Sequence, residues 1–275
     1  MITRQNLHMH STWDDGHDPC AVMLDACQRA GFTSAGISLH SPMPFITDWA
    51  PESAMIPAFV HELAGLRERF APALRVLTGI EWDVLSDPSQ LDVFDYVIGS
   101  AHHFPVTDIP PGVDGAPEET YAAVQTYFGG DGDAAAECYF GELAKVAAEP
   151  HVMICGHFDL LLKFNDHLHI FNPESPRYLA AAEKALNALL DAGKIFEVNT
   201  GAISRGWRSV PYPERRWLLE IARKGGRVTI SSDAHRPEHV ATQFEETEKL
   251  LRDCGFTCIQ ELAPDGTFVP VSLIE

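Results

Sequence analysis

Two short motifs place metal-type donors two residues apart: His8-x-His10 near the start of the chain and Asp233-x-His235 near its end. On extended backbone, residues i and i+2 face the same side, and two rises of about 3.3 Å put them roughly 7 Å apart. Each pair can therefore serve one ion or two adjacent ions. Glu81 adds a carboxylate, which can bridge two ions where a single imidazole cannot. His17, His40, His102 and His157 supply further imidazoles. A mixed imidazole and carboxylate set suits zinc, iron or manganese. A lone histidine is ordinarily a surface or satisfied core residue. These residues stand out because they agree in position along the chain.

The elements that must carry them alternate. Gln5–His10 reads as a first strand, with Leu7 and Met9 on one face and His8 and His10 on the other. Further strands are expected at Ala35–Leu39, Arg75–Trp82, Asp95–Ala101, His151–Cys155, Ile195–Asn199 and Arg227–Ser231. Asp18-Pro19 signals a helix start with Asp18 as N-cap, and Gly31 its end. Other helices are expected over Glu52–Phe70, Glu118–Phe128, Ala134–Ala148, Pro176–Asp191, Pro213–Lys224 and Glu238–Asp253, with a short extended ending over Phe256–Val271.

Repeated β-α units imply a parallel sheet, and apolar runs such as Val152–Cys155 suit strands buried on both faces. The expected fold is one α/β domain over residues 1–275, a closed or nearly closed barrel; the alternative is a doubly wound sheet. Neither a G-x-G-x-x-G nor a P-loop pattern follows the first strand, so a nucleotide fold has no support. In a β/α barrel the carboxyl ends of the strands meet at one mouth, where active sites sit. His8, His10, His40, Glu81, His102, His157, Asp233 and His235 all fall at such ends, and His17 sits in the loop above the first. His167-x-His169 reads as a solvated loop, His61 as surface and His151 as structural, while alternation turns His103 away from His102.

Composition narrows the partners. Lys plus Arg is 20 and Asp plus Glu is 39, a formal charge of −19. That opposes duplex nucleic acid, whose phosphates need basic residues, and anionic lipid. Bound cations would offset part of it. No apolar run approaches the ~18–20 residues that span a bilayer. Met1–Asn6 has no apolar signal core behind it, and the six cysteines show no C-x-x-C or framework spacing. A cytoplasmic protein with reduced thiols is expected.

His8-Met9-His10-Ser11, Asp15-Gly16-His17, His40, Glu81, Gly99-Ser100-Ala101-His102, Gly156-His157-Phe158-Asp159 and Ser232-Asp233-Ala234-His235 resemble, in order, the motifs of the polymerase-and-histidinol-phosphatase (PHP) family. Within it, His157 through Asn165 and Glu197-Val198-Asn199-Thr200 are most similar to the monofunctional histidinol-phosphatases. The resemblance implies a distorted (β/α)7 barrel and three divalent ions, zinc, manganese or iron. One ion would take His8, His10, Glu81 and Asp233. A second would share Glu81 and take His102 and His157. A third would take His17, His40 and His235.

The implied reaction is hydrolysis of a small phosphate monoester, L-histidinol phosphate above all, by water activated between ions that share Glu81. Another small phosphate ester or nucleotide, or a non-catalytic metal module, are the alternatives. No cysteine joins the constellation, as closed structural zinc sites usually require. Lys163, Arg205 and Arg208 are the expected phosphate contacts, and Asp15 or the third ion would assist the leaving group. The Pro- and Gly-rich segment Val106–Gly132 is a candidate lid over the mouth.

Overall fold

The structure, a computed structural model, describes residues 1–274. Seven parallel strands line up in chain order: β1 (Gln5–Asn6), β2 (Ser34–His40), β3 (Arg75–Asp83), β4 (Tyr96–Ser100), β5 (Ile154–Cys155), β6 (Ile195–Asn199) and β7 (Arg227–Ser231). The sheet curls until its ends almost meet. Met9 forms a parallel bridge with Ala234, and the His10 amide donates to the Ala234 carbonyl at 2.9 Å. The result is the nearly closed (β/α)7 barrel expected above, and the open doubly wound sheet is excluded.

The helices are α1 (Cys20–Ala30), α2 (Ile56–Phe70), α3 (Pro117–Phe128), α4 (Gly132–Leu143), α5 (Asn165–Leu168), α6 (Pro176–Asp191), α7 (Gly201–Ser204), α8 (Arg215–Arg223) and α9 (Phe244–Asp253). Several boundaries differ from the sequence reading for local reasons. Pro19, not Asp18, is the N-cap of α1, and no side chain caps it. The helix expected from Glu52 opens as a 3-10 turn over Ser53–Met55 before α2 begins. Asp131 caps α4 by accepting from the Ala134 amide at 3.0 Å, so that helix starts before Ala134 and ends in a 3-10 turn over Ala144–Ala148. The C-terminal segment is not a simple extended ending. It forms an antiparallel hairpin, β8 (Cys258–Leu262) and β9 (Phe268–Ser272).

The first strand is much shorter than its alternation suggests. Asn6 is the cause. Its side chain accepts from the His8 amide at 3.3 Å and donates to Ser232 Oγ at 2.7 Å and the Val240 carbonyl at 2.9 Å. These bonds replace the ladder beyond Asn6. Leu7 and Met9 therefore do not share a face. Met9 joins the main core, while Leu7 joins a small cluster with Leu77, Tyr96, Ile98, Ile154 and Leu262.

Tyr96 fills the middle of that inner cluster, and its hydroxyl donates to the Leu7 carbonyl at 2.5 Å. Room for the ring comes from Gly36 and Gly79, where a Cβ would lie 2.1 Å from a Tyr96 atom. Beneath it, the Gln5 amide pairs with both backbone groups of Leu262, accepting at 2.7 Å and donating at 3.2 Å, and so ties the hairpin to the barrel. This floor leaves the opposite, carboxyl end of the strands as the open mouth. All six cysteines are free thiols, as expected. Among the described residues, no helix is long and apolar enough to cross a membrane.

Candidate metal centre

The mouth holds a cavity of 640 Å³ whose lining includes Asp15, His17, His40, Glu81, His102, His157, Lys163, Arg205, Asp233 and His235. Glu81, buried on β3 directly opposite His40 in the sheet register, is its hub. Its Oε2 lies 3.2 Å from His8 Nε2, 3.6 Å from His10 Nε2 and 3.1 Å from His40 Nδ1. Its Oε1 lies 3.1 Å from His102 Nε2 and 2.7 Å from His157 Nε2. Imidazoles from four strand ends thus converge on the two oxygens of one carboxylate.

Asp233 faces the hub from β7. Its Oδ1 is 3.5 Å from His10 Nε2 and 3.6 Å from His235 Nδ1. The residue sits at φ +48°, a left-handed conformation that costs a non-glycine residue free energy and concentrates at functional sites. Arg205 holds it there, donating to the Asp233 carbonyl and to Oδ2, both at 3.1 Å. Arg205 also lies 3.0 Å from His235 Nδ1.

A second layer of carboxylates orients the imidazoles. Glu197 Oε1 is 2.5 Å from His8 Nδ1, Asp14 Oδ2 is 2.8 Å from His10 Nδ1, and Asp83 Oδ2 is 3.0 Å from His102 Nδ1. Carboxylates in that position fix the tautomer and turn Nε2 toward an ion. The sequence reading missed all three. Asp83 carried a weak signal, two residues beyond Glu81 on the same strand. Glu197 stood in the Glu197–Thr200 run that carries the resemblance, but neither its pairing with His8 nor that of Asp14 with His10 follows from spacing, because both come from side-chain directions.

The donor chemistry fits divalent cations. His8 Nε2 and His10 Nε2 are buried without a hydrogen-bond partner, although both face carboxylates. Burial by itself would lower the His8 pKa, but Glu197, Glu81 and Asp233 outweigh it and raise it well above the ordinary value. Burial opposes the same rise at His10, where Asp14 drives it up to about 10. Burial would raise Glu81, yet His8, His102 and His40 hold it well below the carboxylate range. The cluster thus calls for positive charge, as protons or as metal. Three groups each bring one ligand atom per residue within 4.8 Å of one another: His8, His10 and Asp233; His40, Glu81 and His102; and His10, Asp15, His40 and His235.

These groups differ from the expected sets in several places: the first lacks Glu81, the third gains His10, and two further positions are exchanged. His17 lines the cavity but is exposed and outside every close group, and Asp15 from the same loop takes its position. Asp15 Oδ1 lies 3.2 Å from His235 Nε2 and 3.5 Å from His40 Nε2. His40 stands with Glu81 and His102 where His157 was expected, while His157 shares Glu81 Oε1 with His102.

The basic residues also divide. Lys163 lines the cavity with its Nζ bound to the Asp114 carbonyl at 2.7 Å and Oδ2 at 3.0 Å. Arg208 does not line it. Its guanidinium is buried over the Tyr212 ring and pairs with Glu214 at 2.6 Å. His103 corrects a second expectation. β4 ends at Ser100, so alternation no longer applies, and His103 lines the cavity beside His102, stacked on Trp49. The 106–132 segment supplies Gly112, Asp114, Gly115, Ala116 and, from the first turn of α3, Glu119 as one wall.

The PHP domain profile matches residues 6–201. The chain belongs to the PHP family. The match takes in every proposed donor except Asp233 and His235, which this fold brings to the same mouth from β7. A probable histidinol-phosphatase of Schizosaccharomyces pombe is 28% identical, over 89% of this chain and 84% of that one. A histidinol-phosphatase of Bacillus subtilis is 24% identical, over 89% of this chain and 98% of that one. A Lactococcus lactis histidinol phosphate phosphatase, solved with zinc, L-histidinol and phosphate, shares the fold with a TM-score of 0.69 at 18% identity, over 97% of this chain and 98% of that one. A putative histidinol phosphatase of Listeria monocytogenes gives a TM-score of 0.77 at 14% identity, over 88% and 99%.

Ion binding to this PHP centre is expected to strengthen with pH. The His10 pKa, raised from 6.5 to about 10, gives the metal-free chain stability that is fully present below pH 6.5 and is lost as pH rises through about 10. Ligation needs the neutral imidazole, so ions compete with those protons. A ligand at 100 times its Kd adds about 2.7 kcal/mol. The difference in Tm between manganese-loaded and chelated protein should therefore widen from pH 6 to pH 8.5. A difference independent of pH would show that these imidazoles take no ion.

Proposed function

We propose that this PHP protein is a metal-dependent phosphomonoesterase that hydrolyses L-histidinol phosphate to L-histidinol and phosphate, a step of histidine biosynthesis. The observation that carries it is Glu81, a buried carboxylate with imidazoles at both oxygens at the floor of an open cavity. The named relatives point to the substrate, since histidinol-phosphatases align over most of both chains.

We assign one ion to His8, His10, Glu81 and Asp233, and a second to Glu81, His102 and His157 with His40 beside them. The third falls to His40, His235 and Asp15, with His17 at the rim. Zinc, manganese and iron all suit these donors. Bound ions in such a site supply Lewis acidity for the phosphoryl oxygens and lower the pKa of water. The chain's own groups arrange that chemistry. Glu197, Asp14 and Asp83 engage Nδ1 of three imidazoles and aim their Nε2 inward. Arg205 fixes Asp233 and His235 and puts positive charge behind the phosphoryl group. Lys163 has three donors, of which Asp114 takes two, leaving one N–H for a phosphate oxygen.

Asp15 suits ligation better than proton donation. Burial would raise its pKa, but His40, His235 and His10 hold it well below the usual carboxylate range, so it stays ionised at neutral pH. The same proposal treats residues 1–275 as one domain of a cytoplasmic enzyme, with a small phosphorylated substrate and no duplex nucleic acid as partner.

The test is phosphate release from L-histidinol phosphate beside a panel of other monoesters, with and without added manganese or zinc. A metal-dependent kcat/KM for histidinol phosphate far above the panel is expected. Turnover confined to other esters would keep the chemistry and discard the substrate.

A further inference from the structure

We propose that Asn199 is the positioning residue of one ion, because its single amide pins the rear oxygens of two carboxylates that serve that ion. The role rests on the assignment of an ion to His8, His10, Glu81 and Asp233. β6 carries Glu197 and Asn199 two residues apart, so both side chains leave the same face of the strand. Asn199 stands opposite Ser231 in the register with β7, two residues before Asp233. It is fully buried, and its backbone is held twice by Tyr212. The Asn199 amide donates to the Tyr212 carbonyl at 2.7 Å, and the Asn199 carbonyl accepts from the Tyr212 amide at 3.0 Å.

The side chain fits in one orientation. Its Oδ1 accepts from the Gly201 amide at 2.8 Å, so Nδ2 must face the other way with its two protons. One proton goes to Glu197 Oε2 at 2.9 Å and the other to Asp233 Oδ2 at 3.3 Å. The turn at Gly201 passes close by. A Cβ there would lie 2.8 Å from Asp233 Oδ2 and push the carboxylate away.

Each of these carboxylates has a working oxygen and a rear oxygen. Glu197 Oε1 meets His8 Nδ1 at 2.5 Å, while Oε2 accepts from the His157 amide at 2.8 Å and from Asn199. Asp233 Oδ1 faces His10 Nε2 at 3.5 Å and His8 Nε2 at 3.9 Å, while Oδ2 accepts from Arg205 at 3.1 Å and from Asn199. His8, His10 and Asp233 form one of the close donor groups. Asn199 therefore reaches that group from two sides. Through Glu197 it sets the His8 ring, and through Asp233 it decides which oxygen is offered to the ion. A carboxamide suits the task because it donates twice without charge. A cation there would repel the ion, and an ionised carboxylate has no proton to give. The Glu197-Val198-Asn199-Thr200 run stood out in the sequence, but spacing alone gave Asn199 no task.

The experiment titrates stripped wild type, Asn199→Ala and Asn199→Ser with manganese, following free and bound ion by electron paramagnetic resonance. KM and kcat for L-histidinol phosphate are read at limiting and saturating manganese. Asn199→Ala should weaken one ion roughly 10- to 100-fold and leave the others within a few-fold. Its kcat should fall at limiting manganese and recover as manganese rises. KM should stay within about twofold, because Asn199 is buried outside the cavity lining. Asn199→Ser keeps one shorter donor and should fall between the two; it judges the proposal if the alanine variant does not fold. Every ion bound as tightly as in wild type, or all ions weakened equally, would overturn the proposal and leave Asn199 a packing residue. A raised KM at unchanged ion affinity would overturn it too. A wild type inactive on histidinol phosphate would overturn the substrate reading alone, since the ion titration needs no substrate. A stripped wild type that takes up no manganese would overturn the ion assignment and this role with it.

Discussion

Glu81→Gln should lower the kcat for phosphate release by about 10³-fold or more while leaving the barrel folded. The substitution keeps the side-chain shape and removes the one negative charge that imidazoles face at both oxygens. An amide cannot bridge two cations as a carboxylate does, and the loss of metal-derived charge stabilisation amounts to several kcal/mol. The fold should survive because the elements beneath Glu81 do not depend on it. The Tyr96 cluster and the Gln5–Leu262 pairing close the floor independently. Metal content by mass spectrometry should fall with activity, and far-ultraviolet circular dichroism should stay unchanged. Near-normal kcat with a full complement of ions would remove Glu81 from the centre.

Glu197→Ala should have the largest effect on stability of any substitution outside the hydrophobic core. Glu197 is buried and meets four groups: His8 Nδ1 at 2.5 Å, the His157 amide at 2.8 Å, Asn199 Nδ2 at 2.9 Å and the Ser231 hydroxyl. Burial would raise its pKa, but His8 above all holds it below the ordinary value, so the folded protein depends on the charged form. Removing one partner of a buried ion pair costs about 3–5 kcal/mol. For a chain of this size that corresponds to a fall in Tm of roughly 10 °C. His8 would also lose the bond that aims its Nε2, and metal affinity should drop about 10- to 100-fold. Thermal melts and metal titration of the variant check both. An unchanged Tm would mean that Glu197 is not the anchor its contacts describe.

Much of this arrangement was legible in the sequence, because barrel geometry converts position along a strand into position in space. His40, Glu81, His102, His157 and Asp233 each followed from one rule, that strand ends meet at the mouth. The rule failed where backbone left the strand. Asn6 ended β1 with its own side chain, so Leu7 and Met9 parted. Beyond β4, His102 and His103 both turned to the cavity. In the 14–17 loop the choice between Asp15 and His17 is made by a tight turn. Gly16 packs so closely on the backbone of His10 and Ser11 that a Cβ there would lie 2.2 Å from the Ser11 amide nitrogen. No periodicity encodes such a turn. Charge partners were equally hidden. Nothing in the spacing of Arg205 and Arg208 says that Asp233 takes the first and Glu214 the second.

The most direct test of the metal assignment is a titration of the stripped wild-type chain. Chelated protein is supplied with manganese or zinc in steps while bound ions per chain and phosphate release from L-histidinol phosphate are followed together. Turnover should be absent from the stripped chain and should reach its plateau only as the third ion binds. Full turnover in a chain shown to hold no metal would contradict the assignment of Glu81 and its surrounding imidazoles as a metal centre.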